Sequence, residues 1–267
     1  MSRSNILGLT LKSLSRALSR ALISEEIARQ PGAMQSLDPR VRVVGIFLLV
    51  IAVALVHKIA IVLALFVGAV VLALASAITL RTLALRVWLV VLAFTGVIAS
   101  PALFLTAGDP VIPGGITRQG LHAAVMLVAR VETAVTLTTI LMLCTPWGQI
   151  LKALRSLYVP REVVMMLGMA YRYIFLLAET ATQMFESRES RRVGVLRGRE
   201  QRHLVAQTAG VLMSKSMDLS QEVFVAMQSR GYRGEMLTVS DLAMQPRDYL
   251  ALSATAGVAV LAIWLGR

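Results

Sequence analysis

The sequence predicts an all-α, polytopic membrane protein with about five transmembrane helices and long cytoplasmic helices between the fourth and the fifth. Three observations carry this. Of its 267 residues, 57% are hydrophobic and only 16% are charged, too little polar surface for a soluble domain of that length. The apolar residues fall in runs that approach, with their flanks, the roughly 20 residues a helix needs to cross about 30 Å of hydrocarbon. The formal net charge of +12 fits cytoplasmic Lys and Arg that set orientation or meet acidic lipid. Apolar runs of this kind argue against nucleic acid as the partner of that charge, and none is expected.

Residues 1–36 form the first region. Leu7, Leu11, Leu14, Leu18 and Leu22 follow four/three spacing, with Lys12, Arg16 and Arg20 on another stripe. Such a cationic amphipathic helix suits the membrane interface, and equally suits packing on the rest of the chain. A transit peptide shares the same basic, acid-poor character. Gln30-Pro31-Gly32 ends the helix. Asp38 then caps the next one, and Pro39 suits its first position because no N–H is needed there. Physics asks no more of this stretch than a helix start.

Residues 37–146 hold four spans. Val43 to Val56 is short; His57-Lys58 breaks the run, and Ile59 to Leu80 follows. The third runs from Val87 to about Leu105, with a kink expected at Pro101, and the fourth from about Leu121 to Cys144. The last span, Tyr249 to Leu265, fills residues 249–267. Basic residues near the span ends place the N-terminus and the long polar region in the cytoplasm, and the C-terminus outside. Val163 to Ala178 is apolar enough to invite a further span, but Tyr171-Arg172-Tyr173 lies in its middle. Crossing would also carry the Arg cluster after it outside. An amphipathic, partly embedded helix is expected instead.

Arg130 and Glu132 lie inside the fourth apolar run. Charges facing lipid are expensive, so both should face the bundle interior, water or partner groups. Two residues apart, they are poorly placed to pair with each other. Polar glue between helices, or contact with another membrane subunit, is the favoured reading over an ion pathway.

Residues 147–248 change character. Pro160 can start a helix through Tyr171, Glu179 and Phe185 to Arg188, Arg191 and Arg192, which share a face. A second helix runs from about Leu204 to Gln228, carrying Met213, Met217, Phe224 and Met227 along one side. Such a stripe is usually core, although methionines also suit a surface that must adapt to a moving partner. At its end Gly231 can adopt the left-handed conformation that stops a helix. Arg230 and Arg233 then project from a defined terminus.

Chemistry of its own is not indicated. Cys144 is the only cysteine, His57, His122 and His203 show no ligand spacing, and no nucleotide-binding or hydrolase motif is present. No enzyme activity, metal site or cofactor is expected.

Several stretches carry a resemblance in the right order: SLDPRVRVVG at Ser36–Gly45, RVET at Arg130–Thr133, VPREVVMMLGMAYRYIFLL at Val159–Leu177 and AMQSRGYRG at Ala226–Gly234. Together they resemble the transmembrane T component of energy-coupling factor transporters, in its cobalt-type, CbiQ-like branch. The resemblance implies a scaffold in the bacterial cytoplasmic membrane whose coupling helices dock, through Ala-Arg-Gly-type motifs, onto two ATP-binding-cassette ATPase subunits. It also implies a separate substrate-binding membrane subunit, for cobalt or nickel. By this resemblance Ser229-Arg230-Gly231 is the second docking motif and Ser190-Arg191-Arg192 the first, with Arg188 a contender and Arg233 in support. Ser stands where the family has Ala in both, and Arg192 where it has Gly. The competing reading is a stand-alone secondary transporter using Arg130 and Glu132 in its own path.

Overall fold

The computed structural model describes residues 32, 34–76, 78–105, 110–112, 116–191, 198–232 and 244–267. The expected N-terminal amphipathic helix, Arg192 and Arg233 lie outside them. In chain order the helices are α1 (Pro39–Leu55), α2 (Ile59–Ala75), α3 (Leu80–Leu83), α4 (Leu89–Leu105), α5 (Arg118–Cys144), α6 (Trp147–Ser156), α7 (Arg161–Ser190), α8 (Gly198–Ser229) and α9 (Pro246–Gly266). A π-helical turn, Ala84–Trp88, joins α3 to α4, and a short antiparallel ribbon, β1 (Pro110–Ile112) and β2 (Ile116–Thr117), precedes α5. Helix otherwise dominates, and the chain is an all-α polytopic membrane protein. Its residues cluster into two compact units, one between Leu157 and Asp241, the other between Glu25 and Ser156 and between Leu242 and Arg267.

In the second unit α5 is the central post, packed on α1, α2 and α4, while α1 also packs on α6 and α9. Val53, Ala73, Leu83, Ile140 and Cys144 have no exposed surface and lie in its main core. The outside is as apolar as the inside. Phe94 and Val97 on α4, and Leu250 and Trp264 on α9, are at least 70% exposed. Lipid tails are as apolar as leucine, so such faces need no protein cover. By length and composition α5, α7 and α9 suffice to cross a membrane, while α2 and residues Leu89–Pro101 of α4 are shorter apolar helices.

Local chemistry sets several boundaries. Asp38 caps α1, accepting from Arg40 N–H at 2.8 Å, with Pro39 in the first turn. The second run stops at Ala75 rather than Leu80: Ser76 leaves the helical conformation at φ −96° and ψ 16°, and the Ile78 N–H turns back to the Ala73 carbonyl at 3.1 Å. The third run begins earlier than expected, at Leu80, and α4 continues through Pro101. At the end of the π turn, Trp88 Nε1–H donates to Thr136 Oγ1 of α5 at 3.1 Å, satisfying an indole that would otherwise be stranded in an apolar bundle.

First and last helices of this unit, about 200 positions apart in the chain, lie parallel. Asp38 N–H donates to Asp248 Oδ1 at 3.0 Å where both begin, and His57 N–H donates to the Gly266 carbonyl at 3.0 Å where both end. Close approach needs small residues. A Cβ on Gly45 would lie 3.2 Å from Thr255 Oγ1, and one on Gly266 only 2.8 Å from both Val56 methyls.

The first unit is built on α7 and α8, which pack on each other. Before α7 stands Tyr158, fully exposed with φ 63°, a left-handed conformation uncommon outside glycine. Val163–Ala178 lies wholly within α7, whose apolar window has no residue buried among the described residues. Met213, Met217 and Phe224 of the α8 stripe are more than half exposed, so this stripe is not core.

Candidate functional site

Charges at helix ends are the polar feature of this molecule, and the two units use them differently. In the bundle, α1 and α9 carry acids where they begin and bases where they end. Asp248 accepts from Asp38 N–H and, at 2.8 Å, from Gln245 N–H, closing a capping box on α9. At the other end Lys58 Nζ donates to the Leu265 carbonyl at 2.7 Å. Arg130, from α5, donates through Nη2 to the Val56 carbonyl at 2.7 Å. Each acid meets free N–H groups and each base meets free carbonyls, which is the arrangement that helix termini and their dipoles favour.

Arg130 and Glu132 therefore do not act as a pair. Arg130 caps α1. Glu132 is buried at 7% exposure, and neither carboxyl oxygen meets a hydrogen-bond partner among the described residues. One turn later Thr136 Oγ1 donates to the Glu132 backbone carbonyl at 2.7 Å, and Thr133 bonds Ala129 in the same way. Among the described residues no group of three or more His, Cys, Asp or Glu is placed to hold a metal ion.

In the helical pair the expected arginines end two long helices. Arg191 is the C-cap of α7, exposed, with Arg188 half-buried in the last turn. Arg230 follows α8, also exposed. Its helix closes as expected: Gly231 has φ 81°, Tyr232 N–H donates to the Met227 carbonyl at 3.0 Å, and Gly231 N–H to Gln228 at 2.9 Å. This crossed pair of bonds is the Schellman stop. Ser190 and Ser229, which precede these arginines, each turn the hydroxyl back on the helix, to the Glu186 carbonyl at 2.9 Å and the Val225 carbonyl at 2.7 Å. Each hydroxyl is thus satisfied internally, and arginine is the group each end presents outward.

Where the two ends lie relative to each other was not legible in the sequence. Tyr232 O–H donates to Met165 Sδ at 3.2 Å, so the end of α8 returns to the beginning of α7. At 1.5 Å per residue, the stretch of α7 from Met165 to Arg191 separates the two arginine ends by about 40 Å. Of the expected docking residues, Ser190, Arg191, Ser229, Arg230 and Gly231 are thus distributed to opposite ends of one antiparallel pair, not gathered into one pocket.

Sequence reasoning missed Arg42, Asp248 and Lys58. Asp248 carried a local signal, three residues after Gln245 with Pro246 between them; the other two did not.

Comparison with known proteins agrees with this architecture. Residues 33–239 match the family model of the cobalt transport protein CbiQ. An uncharacterized protein of Methanocaldococcus jannaschii is 30% identical over 235 residues, 85% of this chain and 80% of that protein. The cobalt transport protein CbiQ of Rhodobacter capsulatus is 30% identical over 169 residues, 61% of this chain and 69% of its own. The nickel permease LarQ of Lactiplantibacillus plantarum is 30% identical over 122 residues, 46% of this chain and 44% of that protein. A family match over most of the chain, on a bundle of apolar helices with an appended helical pair, makes this protein a member of the CbiQ cobalt transport family.

Proposed function

We propose that the chain is the transmembrane scaffold and coupling subunit of an energy-coupling-factor importer, docking two ATP-binding-cassette ATPases through Arg191 and Arg230. One observation carries the reading: two exposed arginines end two long helices about 40 Å apart along one antiparallel pair. Two anchors so far apart suit two partner subunits better than one small ligand. A guanidinium offers a rigid fork of donors for a carboxylate or for helix-end carbonyls. Each anchor, once desolvated in a complex, would cost about 2–5 kcal/mol to truncate.

Region by region, residues 37–146 and 249–267 serve as the membrane scaffold and residues 147–248 as the coupling helices. The start of α1 faces the cytoplasm, with its basic residues and the end of α5 beside it. ATP hydrolysis belongs to the ATPases, and the cargo, cobalt or nickel as in the names of the relatives, to a substrate-binding membrane subunit. The uncovered apolar faces meet lipid and that subunit. A stand-alone transporter would need Arg130 in its path, whereas Arg130 is engaged with the end of α1.

The test is detergent co-purification with the ATPases of Arg191→Glu, Arg230→Glu and the double variant. Loss of the ATPases from folded protein is expected, most fully in the double variant. Retention by the double variant would refute the docking assignment. Wild type that binds no ATPase yet moves metal alone would establish the stand-alone reading, and uptake of radioactive cobalt against nickel by the complex decides the cargo.

A further inference from the structure

The Ser36–Gly45 stretch does more than start a helix. Its second arginine, Arg42, is buried to 5% exposure, and its guanidinium reaches three separate elements. Nε donates to the Leu37 carbonyl at 2.9 Å, and Nη2 to the carbonyls of Gln35, at 2.7 Å, and Leu37. Nη1 donates to the Cys144 carbonyl at 3.0 Å and to Gln149 Oε1 at 3.2 Å. Asp38 and Asp248 lie within electrostatic reach and supply the opposite charge.

The last two bonds matter most. Cys144 is the final residue of α5, and Gln149 stands in the first turn of α6. Between the two helices lie only Thr145 and Pro146. Proline has no N–H to carry the α5 ladder onward. The Pro146 carbonyl instead opens α6, accepting from Gln149 N–H at 2.9 Å and Ile150 N–H at 3.2 Å. Thr145 Oγ1 is buried with no partner among the described residues, so it does not brace the bend. One nitrogen, Arg42 Nη1, holds both sides of it. The other two nitrogens fasten the same corner to the turn before α1.

We propose that Arg42 is a positioning residue that fixes the angle between α5 and α6, and with it the direction in which the chain leaves the bundle. Planar, forked donors are needed for this. Lysine, a point charge on a flexible stem, cannot meet acceptors on three elements at once. A further consequence rests on the function proposed above: the corner is stiff enough to pass displacement of the coupling helices into the spanning helices, rather than absorb it at Thr145-Pro146.

The angle is measured on the chain alone, reconstituted in nanodiscs. Spin labels go on Val125, exposed on α5, and on Ser156, the last residue of α6, with the buried Cys144 replaced by alanine. Arg42 bonds the backbone carbonyl at 144, so that replacement leaves the bond in place. A single narrow distance distribution is expected in this background. Arg42→Gln should at least double its width, and Arg42→Lys should fall between. Gln149→Leu removes one acceptor and leaves the guanidinium its carbonyls; it should broaden the distribution less, and it decides the matter should Arg42→Gln not fold. Unchanged widths in the folded variants would overturn the proposal.

In the ATPase complex, the same variants should lower metal moved per ATP hydrolysed several-fold while hydrolysis continues. A broadened angle with an unchanged ratio would overturn the coupling role alone. Absence of any bound ATPase would sink the functional reading and leave the distance result standing.

Discussion

The ends of α1 and α9 and the ends of α7 and α8 are made of the same chemistry put to opposite uses. In the bundle, Asp38, Asp248, Lys58 and Arg130 each bond a free backbone group of a neighbouring helix end or of their own. In the helical pair Arg191 and Arg230 stand exposed, and among the described residues neither guanidinium meets a partner. A charge at a helix end is therefore a fastening in one unit and an exposed group in the other. The difference predicts that substitutions in the bundle act on stability, and those at the ends of α7 and α8 act on assembly.

Asp248→Ala should have the largest effect on stability. It strips one carboxylate from two N–H groups, those of Asp38 and Gln245, at a buried junction. Leaving them unpaired should cost about 2–5 kcal/mol. SDS titration of the purified protein measures this, and a cost near zero would mean that water satisfies the junction. Next comes Gly266→Ala, whose Cβ would lie 2.8 Å from both Val56 methyls. Overpacking of this kind costs about 1–3 kcal/mol. Combining it with Val56→Ala should recover most of the loss, because neighbours in contact do not add. Additive losses in that cycle would refute the parallel contact of α1 and α9 at this end.

What was legible in the sequence was what short-range rules govern. Asp38 and Pro39 announce a helix start, and Gly231 after Arg230 announces a stop, because each motif is complete within about five residues. The core and the membrane class followed from apolar runs for the same reason. Arg42 and Lys58 were opaque because the partners that give them their roles, Cys144, Gln149 and Leu265, lie 102 to 207 positions away, and nothing local distinguishes an arginine that will bond carbonyls from one that will meet lipid headgroups. α2 ended early, at Ala75, because the backbone turns out of the helix at Ser76, a change that hydropathy does not register. The two arginine motifs could be picked out by resemblance, but their opposition across an antiparallel pair could not, since it depends on where Tyr232 meets Met165. As for the methionine stripe, periodicity shows which residues share a face and is silent on what covers it.

Gly231→Ala sharpens the contrast within α8. At φ 81° an L side chain is strained, and nothing lies within 4 Å of where its Cβ would be, so strain acts without a clash. The cost should be about 1 kcal/mol, felt locally as faster amide exchange at Gln228 to Tyr232 rather than as loss of the bundle. ATPase binding should weaken with it, because Arg230 would then leave a frayed end.

The smallest expected effect on stability is the most informative. Arg191→Glu and Arg230→Glu alter exposed side chains that bond nothing else described in this chain, and surface changes of this sort leave folding almost untouched. Their unfolding midpoints in detergent should match wild type even where the ATPases no longer co-purify. Reversing charge at a helix C-terminus does oppose the dipole, a penalty that salt screens, so a small drop that vanishes at high ionic strength fits the docking proposal. A large, salt-insensitive drop does not. It would show that these arginines fasten their own chain as Arg42 and Lys58 do, and the contrast between the two units would collapse.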